Sequence, residues 1–416
     1  MTLWNPVWRV TVDGSTYESV TINSLVITSG RTDINTQPRA GYCQFELLNY
    51  TNEVFTWNVG TEVRIEVQDS TGAYVAIFGG YVTDFVESVR AAGSVQFITS
   101  AQITALGALS RLPKAITTGV LSQDQDGDQI YALLAELLLN SWNEMAPTLQ
   151  WNQVDATTIW TDAGNIGLGE IDRPGQFEME NRTSSETDIY SLASAIASSA
   201  LGYLYEQPTG QIGYADAAHR QNYLATNGYV DLSANDATWQ GIRTVTRSGD
   251  IRNKVAINYG NAFGSQKTST DTTSITNYGL QAETINSYIH DATDAQTIAD
   301  RYIDLRAYPN AKFDAITFPI GSPELGDSDR DALLNIFMGM PVRITNLPQN
   351  IVGGQFEGFI EGWTFRSTVN GLSLTFNASP TPYSLVSVKW ESVSASEAWN
   401  TLSSTLTWET AIGAVA

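Results

Sequence analysis

Two segments far apart in the chain carry the same strand-turn-strand pattern, and this repeat constrains the fold more than any other feature. The first spans residues 60–85, where VGTEVRIEV alternates apolar and polar side chains as a strand with one apolar face does. DSTG then supplies turn-forming residues. The returning strand contains Gly79 and Gly80, and a glycine pair inside a strand predicts a break at a bulge or a sharp bend.

The pattern returns near the other end of the chain in three matched segments. Their offsets are 279, 278 and 279 residues, and they occur in the same order. This regularity predicts two copies of one β-barrel-like module. The alternative is that two unrelated antiparallel meanders look alike. The matched segments are 60–65 with 339–344, 80–85 with 358–363, and 94–97 with 373–376.

The net charge of the chain limits the kinds of molecule that it can bind. The chain has 22 Lys and Arg against 44 Asp and Glu, a formal net charge of −22. Such a surface argues against a nucleic-acid-binding groove, because neutralisation of phosphates by Lys and Arg dominates that affinity. It suits a channel whose wall DNA passes without sticking, which predicts a lumen more acidic than the outer wall. Solubility alone also explains it.

Catalytic and metal-binding patterns are missing from the sequence. The two histidines, His219 and His290, have no ligand pattern around them, and His219 is expected in a loop or at the surface. The single cysteine, Cys43, lies in a predicted strand and is expected to be a core thiol. Phosphate loops, dinucleotide fingerprints and nucleophile elbows are absent. We therefore predict no catalytic, cofactor-binding or metal-binding residues.

Membrane and export signals are also missing. No apolar segment approaches the roughly 20 residues that span a bilayer. The first residues lack a basic segment followed by an apolar run, so no leader peptide is expected.

The middle of the chain predicts a smaller α+β unit. A helix at 189–200, capped by Ser184 or Ser185, precedes a hairpin around Pro208 and Gly210. The acidic run 124–128 precedes another helix and is best explained by capping. Its glycine position does not fit a calcium loop. Residues 261–275 are expected to form a loop, and 331–338 a short helix.

Several motifs resemble the tail hub proteins of tailed phages, a family that includes minor tail proteins and baseplate hubs. The similarity covers most of residues 20–382, and its specificity lies in the order and spacing of the motifs. They are SGRTD, QPRAG, FELLN, VGTEVRIEV and IFGGYVTDF, then SGDIRNKVAINYG, AYP, MGMPVRITNLP, FIEGWTF and LSLTFNASP.

The resemblance implies a mainly β fold with α+β insertions: two tail-tube-like β-barrel modules plus a smaller α+β middle domain. The expected division is 1–112 for the first barrel, 113–245 for the middle region, 246–381 for the second barrel and 382–416 for a C-terminal arm.

The resemblance also implies a structural role without enzymatic activity. Three chains would form a pseudo-hexameric ring that lines the DNA channel and joins the hexameric tail tube or distal tail ring to trimeric tip or fibre proteins. The implied partners are these proteins, the tape measure protein and DNA in transit without specific binding. The implied location is the tail tip of the virion, after synthesis in the host cytoplasm.

The arm carries Trp390, Trp399 and Trp408 at intervals of nine residues. Tryptophans are favoured interface anchors, so these three are candidate subunit-interface residues. The arm folding back on its own chain is an equal alternative. Two other functions stay open: a host-surface glycan-binding protein that uses the 11 tryptophans as stacking platforms, and a cell-wall hydrolase with paired carboxylates.

Overall fold

The computed structural model describes residues 4–385 except 13, 19–20, 51–54, 56, 92–97, 140–169, 239–241, 261–262 and 369–370. The first half of this range forms strands β1 (Trp8–Val12), β2 (Ser15–Glu18), β3 (Ile22–Gly30), β4 (Tyr42–Asn49), β5 (Glu62–Gln68), β6 (Tyr74–Ala91), β7 (Ile98–Gly107), β8 (Ile116–Thr117), β9 (Asp124–Gln125), β10 (Glu178–Met179) and β11 (Thr187–Asp188). The second half forms β12 (Tyr203–Glu206), β13 (Ile212–Ala215), β14 (Val230–Ser233), β15 (Arg243–Val245), β16 (Lys254–Tyr259), β17 (Ser265–Thr270), β18 (Ala282–Asn286), β19 (Lys312–Pro319), β20 (Pro341–Thr345), β21 (Phe356–Thr368) and β22 (Gly371–Pro380). The helices are α1 (Asp126–Leu139), α2 (Ile189–Ser199), α3 (His219–Asn227), α4 (Thr272–Tyr278), α5 (Ala292–Arg306) and α6 (Asp327–Leu334).

Thirteen of these strands form one large, mostly antiparallel sheet, which confirms the prediction of a mainly β fold. The main path runs β15–β19–β22–β21–β3–β4–β7–β6–β5–β1–β2, and β20 joins β21 to β14. The buried face of the sheet contributes one continuous apolar core. Cys43 is fully buried in this core, as expected.

The strand order within the sheet repeats. In the first half of the chain it is β1–β5–β6–β7–β4–β3, and in the second half β14–β20–β21–β22–β19–β15. One pair differs in direction, since β1 runs antiparallel to β5 and β14 parallel to β20. The other pairs are antiparallel in both halves.

The two hairpins agree in detail with the sequence alignment. Val63 pairs with Gly80, and its counterpart Val342 pairs with Gly358. The N–H of Gly60 donates to Val82 O at 2.7 Å, and that of Gly339 to Ile360 O at 2.7 Å. Gly60 and Gly339 have φ values of 89° and 88°, a region that favours glycine, so both hairpins need it there.

The third matched segment was misaligned. Residues 94–97 lie outside the described residues, but the pairing of β7 and β22 fixes the offset. Ile103 faces Phe85 as Phe376 faces Trp363, which gives an offset of 273 rather than 279. The difference arises because the β6–β7 hairpin extends further than the β21–β22 hairpin.

The glycine pair does not break β6, contrary to the prediction. β6 runs through Gly79 and Gly80, and its register shifts fall near Ile77, Thr83 and Arg90 instead. A Cβ at Gly79 would lie 2.5 Å from the backbone of Thr209. The glycine is therefore needed because the β12–β13 turn packs directly on the strand.

A second apolar core joins the middle of the chain to part of the second half. It contains α1, α2 and α5 together with β16 of the three-stranded sheet β17–β16–β18. The prediction of a loop at 261–275 is wrong, because β17 and α4 occupy most of it. The predicted helix at 331–338 is displaced to α6. Helix α2 begins after Asp188, whose carboxylate accepts the Ser191 N–H at 2.8 Å, and not after a serine.

Candidate assembly interface

The predicted interface residues Trp390, Trp399 and Trp408 lie outside the described residues. Their role stays a prediction. In the described residues, the candidate interface features are the edges of the large sheet and the contacts that hold its two halves together.

One long edge of β6 has no partner strand among the described residues. β5 pairs with β6 as far as Tyr81, and β7 covers the opposite edge as far as Ala91. We call residues 84–91 the β6 arm; seven of its eight residues are exposed. Val86 is 55% and Val89 63% exposed. A free edge with exposed β-branched residues is a template for another strand.

The sheet ends in a second free edge at β15. In the described residues β15 pairs only with β19, and it terminates the main path of the sheet. Arg243 and Arg247 lie at this edge with side chains 66% and 52% exposed, and both contact Asp314. The edge is therefore basic, whereas the β6 arm carries Asp84 and Glu87.

The counterpart of the β6 arm in the second half is covered. Residues 362–368 of β21 pair with β3 along their whole length. Phe365 faces Ile27 there, and both are fully buried. Both strands carry a bulge at the same place, between Val82 and Asp84 and between Ile360 and Gly362. Past the bulge, the two segments have matching registers against their hairpin partners.

An ion cluster holds the β3–β21 junction. Glu361 accepts hydrogen bonds from Arg31 Nε and from Arg220 Nη1, each at 2.7 Å. The three side chains are almost fully buried. Burial alone would raise the pKa of Glu361, but the charges of Arg220 and Arg31 outweigh it and lower the pKa to about 2. The cluster joins β3, β21 and α3.

Sequence reasoning missed this cluster. The sequence did contain a sign of it. Glu361 interrupts an apolar strand in FIEGWTF, and Arg31 directly follows strand β3 in SGRTD. A charge inside an apolar strand needs a partner. The identity of the second partner, Arg220, depends on the tertiary fold.

Glu206 attaches the β12–β13 hairpin to the first half of the sheet. Its carboxylate accepts the backbone N–H groups of Gly41 and Leu109, the latter at 3.0 Å. A methyl group at Gly107 would collide with the same carboxylate. Burial raises the pKa of Glu206 to about 7, because the two N–H donors only partly offset desolvation.

The acidic run 124–128 places Asp126 and Asp128 in the first turn of α1, where the helix macrodipole favours acidic side chains, as predicted. These two carboxylates also bind groups outside the helix. Asp126 is fully buried and accepts the N–H groups of Gln176 and Phe177 at 2.7 and 2.8 Å. Asp128 instead binds Arg173. Burial raises the pKa of Asp126 to about 6. These contacts organise the turn before β10.

His219 is buried rather than at the surface. Its Nδ1 lies 2.6 Å from Asp172 Oδ2. The backbone N–H of His219 also donates to Asp216. The interaction fixes the start of α3, which carries Arg220 into the ion cluster.

A cavity of about 220 Å³ lies beside the ion cluster. Its arginines are already engaged, since Arg220 and Arg31 bind Glu361 and Arg306 Nη1 donates to Tyr383 O at 2.6 Å. The cavity lies where three units pack, and its two carboxylates are also engaged, since Gln176 donates to Asp216 and Tyr302 donates to Glu283.

The face of the sheet opposite the core is polar along both halves. The pairing places Thr28 beside Thr364, Thr364 beside Thr375, and Thr375 beside Thr317. The charges on this face have both signs. Its uncharged polar members include Ser24, Thr28, Gln44, Gln102, Thr104, Thr317, Thr364 and Thr375.

The described part of the chain contains no group of three His, Cys, Asp or Glu side chains placed to hold a metal ion. Among its helices, none combines the length and the apolar character needed to cross a bilayer.

Comparison with known proteins shows the fold. No protein-family model matches the sequence, and no curated protein is similar to it in sequence. The 43 kDa tail protein of prophage MuSo2 from Shewanella oneidensis is 13% identical, with 91% of this chain and 99% of that chain covered and a TM-score of 0.55. A tail protein from Neisseria meningitidis MC58 is 13% identical, with 92% and 99% covered and a TM-score of 0.57.

These matches confirm, at the level of the fold, the resemblance to phage tail proteins. The chain has the fold of these two tail proteins over nearly its whole described length.

Proposed function

We propose that this chain is a structural hub protein at the tail tip of a tailed phage. Three copies form a ring with two modules each. The ring presents a pseudo-sixfold face to a hexameric tail tube or distal tail ring, and a threefold face to trimeric tip or fibre proteins. The observation that carries the proposal is the repeat of strand order, register and bulge within one chain.

The proposed modules differ slightly from the expected division of the chain. The first module consists of β1–β7, within residues 1–112. β14 and β15 lie in the expected middle region, 113–245, but pair with β20 and β19. We assign them to the second module, and assign β16, β18 and α5 to the middle unit, whose core they share.

The polar face of the sheet is the proposed wall of the channel. Hydroxyl and amide side chains are frequent on it, and Glu46, Asp84, Arg90 and Arg366 contribute charges of both signs. Such a wall offers no continuous basic track for phosphates, so DNA and the tape measure protein would pass without specific binding. The more acidic lumen expected from the net charge stays a prediction, which a map of the surface potential of the assembled ring would test.

The glycan-binding alternative has less support. Of the four described tryptophans, Trp8, Trp57 and Trp363 are at most 6% exposed, and Trp4 is partly buried against the core, so they do not form an exposed platform. Stacking on sugars needs an accessible ring face.

The hydrolase alternative requires two accessible carboxylates in a cleft. The described carboxylates with the largest upward pKa shifts, Asp126 and Glu206, are buried and bound to backbone N–H groups. We therefore favour a structural role.

The mass of the purified chain in solution tests the proposal. Light scattering over a range of concentrations should give about 136 kDa, three times the chain mass of 45.3 kDa. A persistent monomer that turns over peptidoglycan or binds host glycans would contradict it.

A further inference from the structure

The cavity beside the ion cluster is lined by all three parts of the fold. Arg31 and residues 34–37 come from the loop after β3, in the first half of the sheet. Tyr383 and Ser384 come from the segment after β22. The middle unit supplies side chains from α2, β18 and α5. A molecule bound in the cavity would therefore contact all three parts at once.

The lining of the cavity has more cations than anions. Glu361, which lies outside the lining, neutralises two of the arginines, and Glu283 pairs with Arg252. Asp216 is the one lining carboxylate that remains, and among the described residues it forms no ion pair with the other two arginines. The four lining arginines are Arg31, Arg220, Arg301 and Arg306, and the two lining carboxylates are Asp216 and Glu283.

Arg306 is a buried cation that only neutral groups engage. Its side chain belongs to a residue that is 7% exposed. Nη1 donates to Tyr383 O at 2.6 Å, and Nε donates to Asn35 Oδ1 at 3.4 Å. For Nη2 the described part of the chain provides no acceptor. Burial lowers the pKa of Arg306, and the charge of Arg31 lowers it further, so a negative charge beside these two groups would be stabilising.

Arg301 has even more unused donors. It is partly buried and makes one hydrogen bond, from Nη2 to Ala217 O at 2.7 Å. A guanidinium group carries five N–H donors, so most of those on Arg301 have no acceptor among the described residues. Burial lowers the pKa of Arg301, and the charge of Asp216 offsets this only in part.

We propose that this cavity binds a small oxyanion, either phosphate or a small carboxylate, through Arg301 and Arg306. Paired N–H donors of a guanidinium group match the oxygens of both anions. The cavity of about 220 Å³ is smaller than the roughly 300–1,000 Å³ of pockets for drug-sized ligands, which restricts the ligand to a small molecule. The bound anion neutralises the two arginines and holds the three parts of the fold together.

The charge of the whole chain makes such a site distinctive. A net charge of −22 repels anions from most of the surface. Anion binding with a defined stoichiometry therefore requires a local cluster of cations, and the cavity supplies one. The proposal concerns the single chain and does not depend on the proposed ring.

Isothermal titration calorimetry of the purified full-length chain tests the proposal. Sodium phosphate and sodium citrate are the probes, and sodium chloride at the same ionic strength is the reference. Saturable binding at one site per chain is expected for at least one of the two probes. The Tm should rise by roughly 2–5 °C at a probe concentration about 100 times its Kd.

Arg301→Gln removes unused donors from the cavity. It should weaken binding about tenfold or more, because hydrogen bonds to charged groups are among the strong ones. Arg301 is preferred to Arg306 because it is less buried, so its loss disturbs the fold less. The reduction in affinity is measured by the same titration, and thermal unfolding without the probe checks that the variant folds.

The matched control is Arg182→Gln, which changes the net charge by the same amount. Arg182 also donates to backbone carbonyls, those of Thr118 and Gly119, at 3.0 and 2.9 Å, and it has no ion pair among the described residues. It does not line the cavity. Its variant should therefore bind the probe with the affinity of the wild type.

The outcomes decide both the site and its ligand class. Binding of phosphate alone or citrate alone supports the site and assigns it to that anion, and binding of both supports a general oxyanion site. Absence of saturable binding with either probe overturns the proposal, as does equal affinity in Arg301→Gln and the wild type. Phosphate also stabilises proteins by exclusion from their surface, but that rise in Tm would be equal in Arg301→Gln and the wild type. The mass in solution tests the hub separately, so the two proposals can fail independently.

Discussion

The β6 arm and residues 362–368 of β21 are equivalent strand segments of the two halves, but they lie in different surroundings. Each follows a bulge and pairs in the same register with the next strand of its hairpin. The β21 segment lies under β3 and contributes Phe365 to the core, whereas the β6 arm is almost entirely exposed. The local geometry of a strand therefore does not decide whether it is interior or edge; its neighbour does.

The bulge residues reflect the same contrast. Glu361 occupies the bulge in β21 and is bound by two arginines that come from other elements. Thr83 occupies it in β6, and its hydroxyl donates to Thr104 O at 3.1 Å. The bulge in β21 therefore carries a buried charge that binds arginines from other elements, whereas the bulge in β6 carries a neutral side chain whose hydroxyl binds within its own hairpin.

A substitution in residues 362–368 of β21, the segment that β3 covers, should have the largest effect on the free energy of unfolding. Phe365→Ala removes a fully buried ring opposite Ile27, and such truncations cost about 3–5 kcal/mol. The equivalent change in the free copy, Glu87→Ala, should alter the free energy of unfolding of the monomer by less than about 0.5 kcal/mol. Denaturant titration of both variants checks this. Equal losses at the two positions would contradict the contrast.

The ion cluster should be nearly as sensitive, and its effect should depend on pH. Glu361→Gln leaves Arg31 and Arg220 without their carboxylate, which costs about 3–5 kcal/mol near neutral pH. The folded pKa of Glu361, about 2, lies below its unfolded value of about 4.3. Its contribution is therefore complete above pH 4.3 and is lost as the pH falls toward 2.

Unfolding of the wild type and Glu361→Gln at pH 7 and pH 3 measures this dependence. The gap between them should narrow at pH 3. The triple variant Arg31→Met/Arg220→Met/Glu361→Leu should recover much of the loss, because it removes the charges together. A gap that stays constant with pH would show that Glu361 acts through packing alone.

Glu206 should act in the opposite direction. Its folded pKa of about 7 exceeds its unfolded value of about 4.3, so the folded state retains a proton that the unfolded state has lost. The free energy of unfolding then decreases between pH 4.3 and 7 by roughly 3 kcal/mol from this group, and levels off above pH 7.

Glu206→Gln should remove that part of the pH dependence. The matched control, Glu186→Gln, changes an exposed carboxylate and should retain the wild-type profile. Stability measured by denaturant titration from pH 4.5 to 8 distinguishes them. Parallel curves for Glu206→Gln and the wild type would show that the carboxylate is not protonated in the fold.

The smallest expected effect concerns an exposed ion pair at the β15 edge. Arg243→Gln removes the contact of Arg243 with Asp314 and should lower the free energy of unfolding by about 0.2–1 kcal/mol, since exposed ion pairs contribute no more than that. Added salt should reduce the loss, because it screens exposed charges. Denaturant titration at several salt concentrations measures the loss, with Glu186→Gln as the control. A loss that does not change with salt would show that Arg243 acts through packing.

The sequence predicted the repeat because strand periodicity is local. The alternation around Val63 and Val342, and the glycines at 60 and 339, need only neighbouring residues to be recognised. The sequence alignment was wrong at β7. It matched Phe376 with Phe97, whereas the pairing matches it with Ile103, because the apolar pattern does not encode the length of a hairpin. Sequence reasoning also failed for residues 261–275, where Ser and Thr form β17 on the edge of β16.

The functional surfaces were less predictable than the fold. Glu361 is 330 residues from Arg31 and 141 residues from Arg220 in the chain. The contact of these side chains depends on how three units pack. The β6 arm reads as an ordinary strand in sequence. Only the sheet order shows that, within the described part of the chain, the β6 arm lacks the neighbouring strand that residues 362–368 of β21 have.

The most direct test of the account is an electron cryomicroscopy map of the purified, assembled chain. We predict a ring with a threefold axis in which the polar face of the sheet lines the lumen. A map that shows no ring, or a ring whose lumen is lined by other surfaces of the chain, would contradict the account.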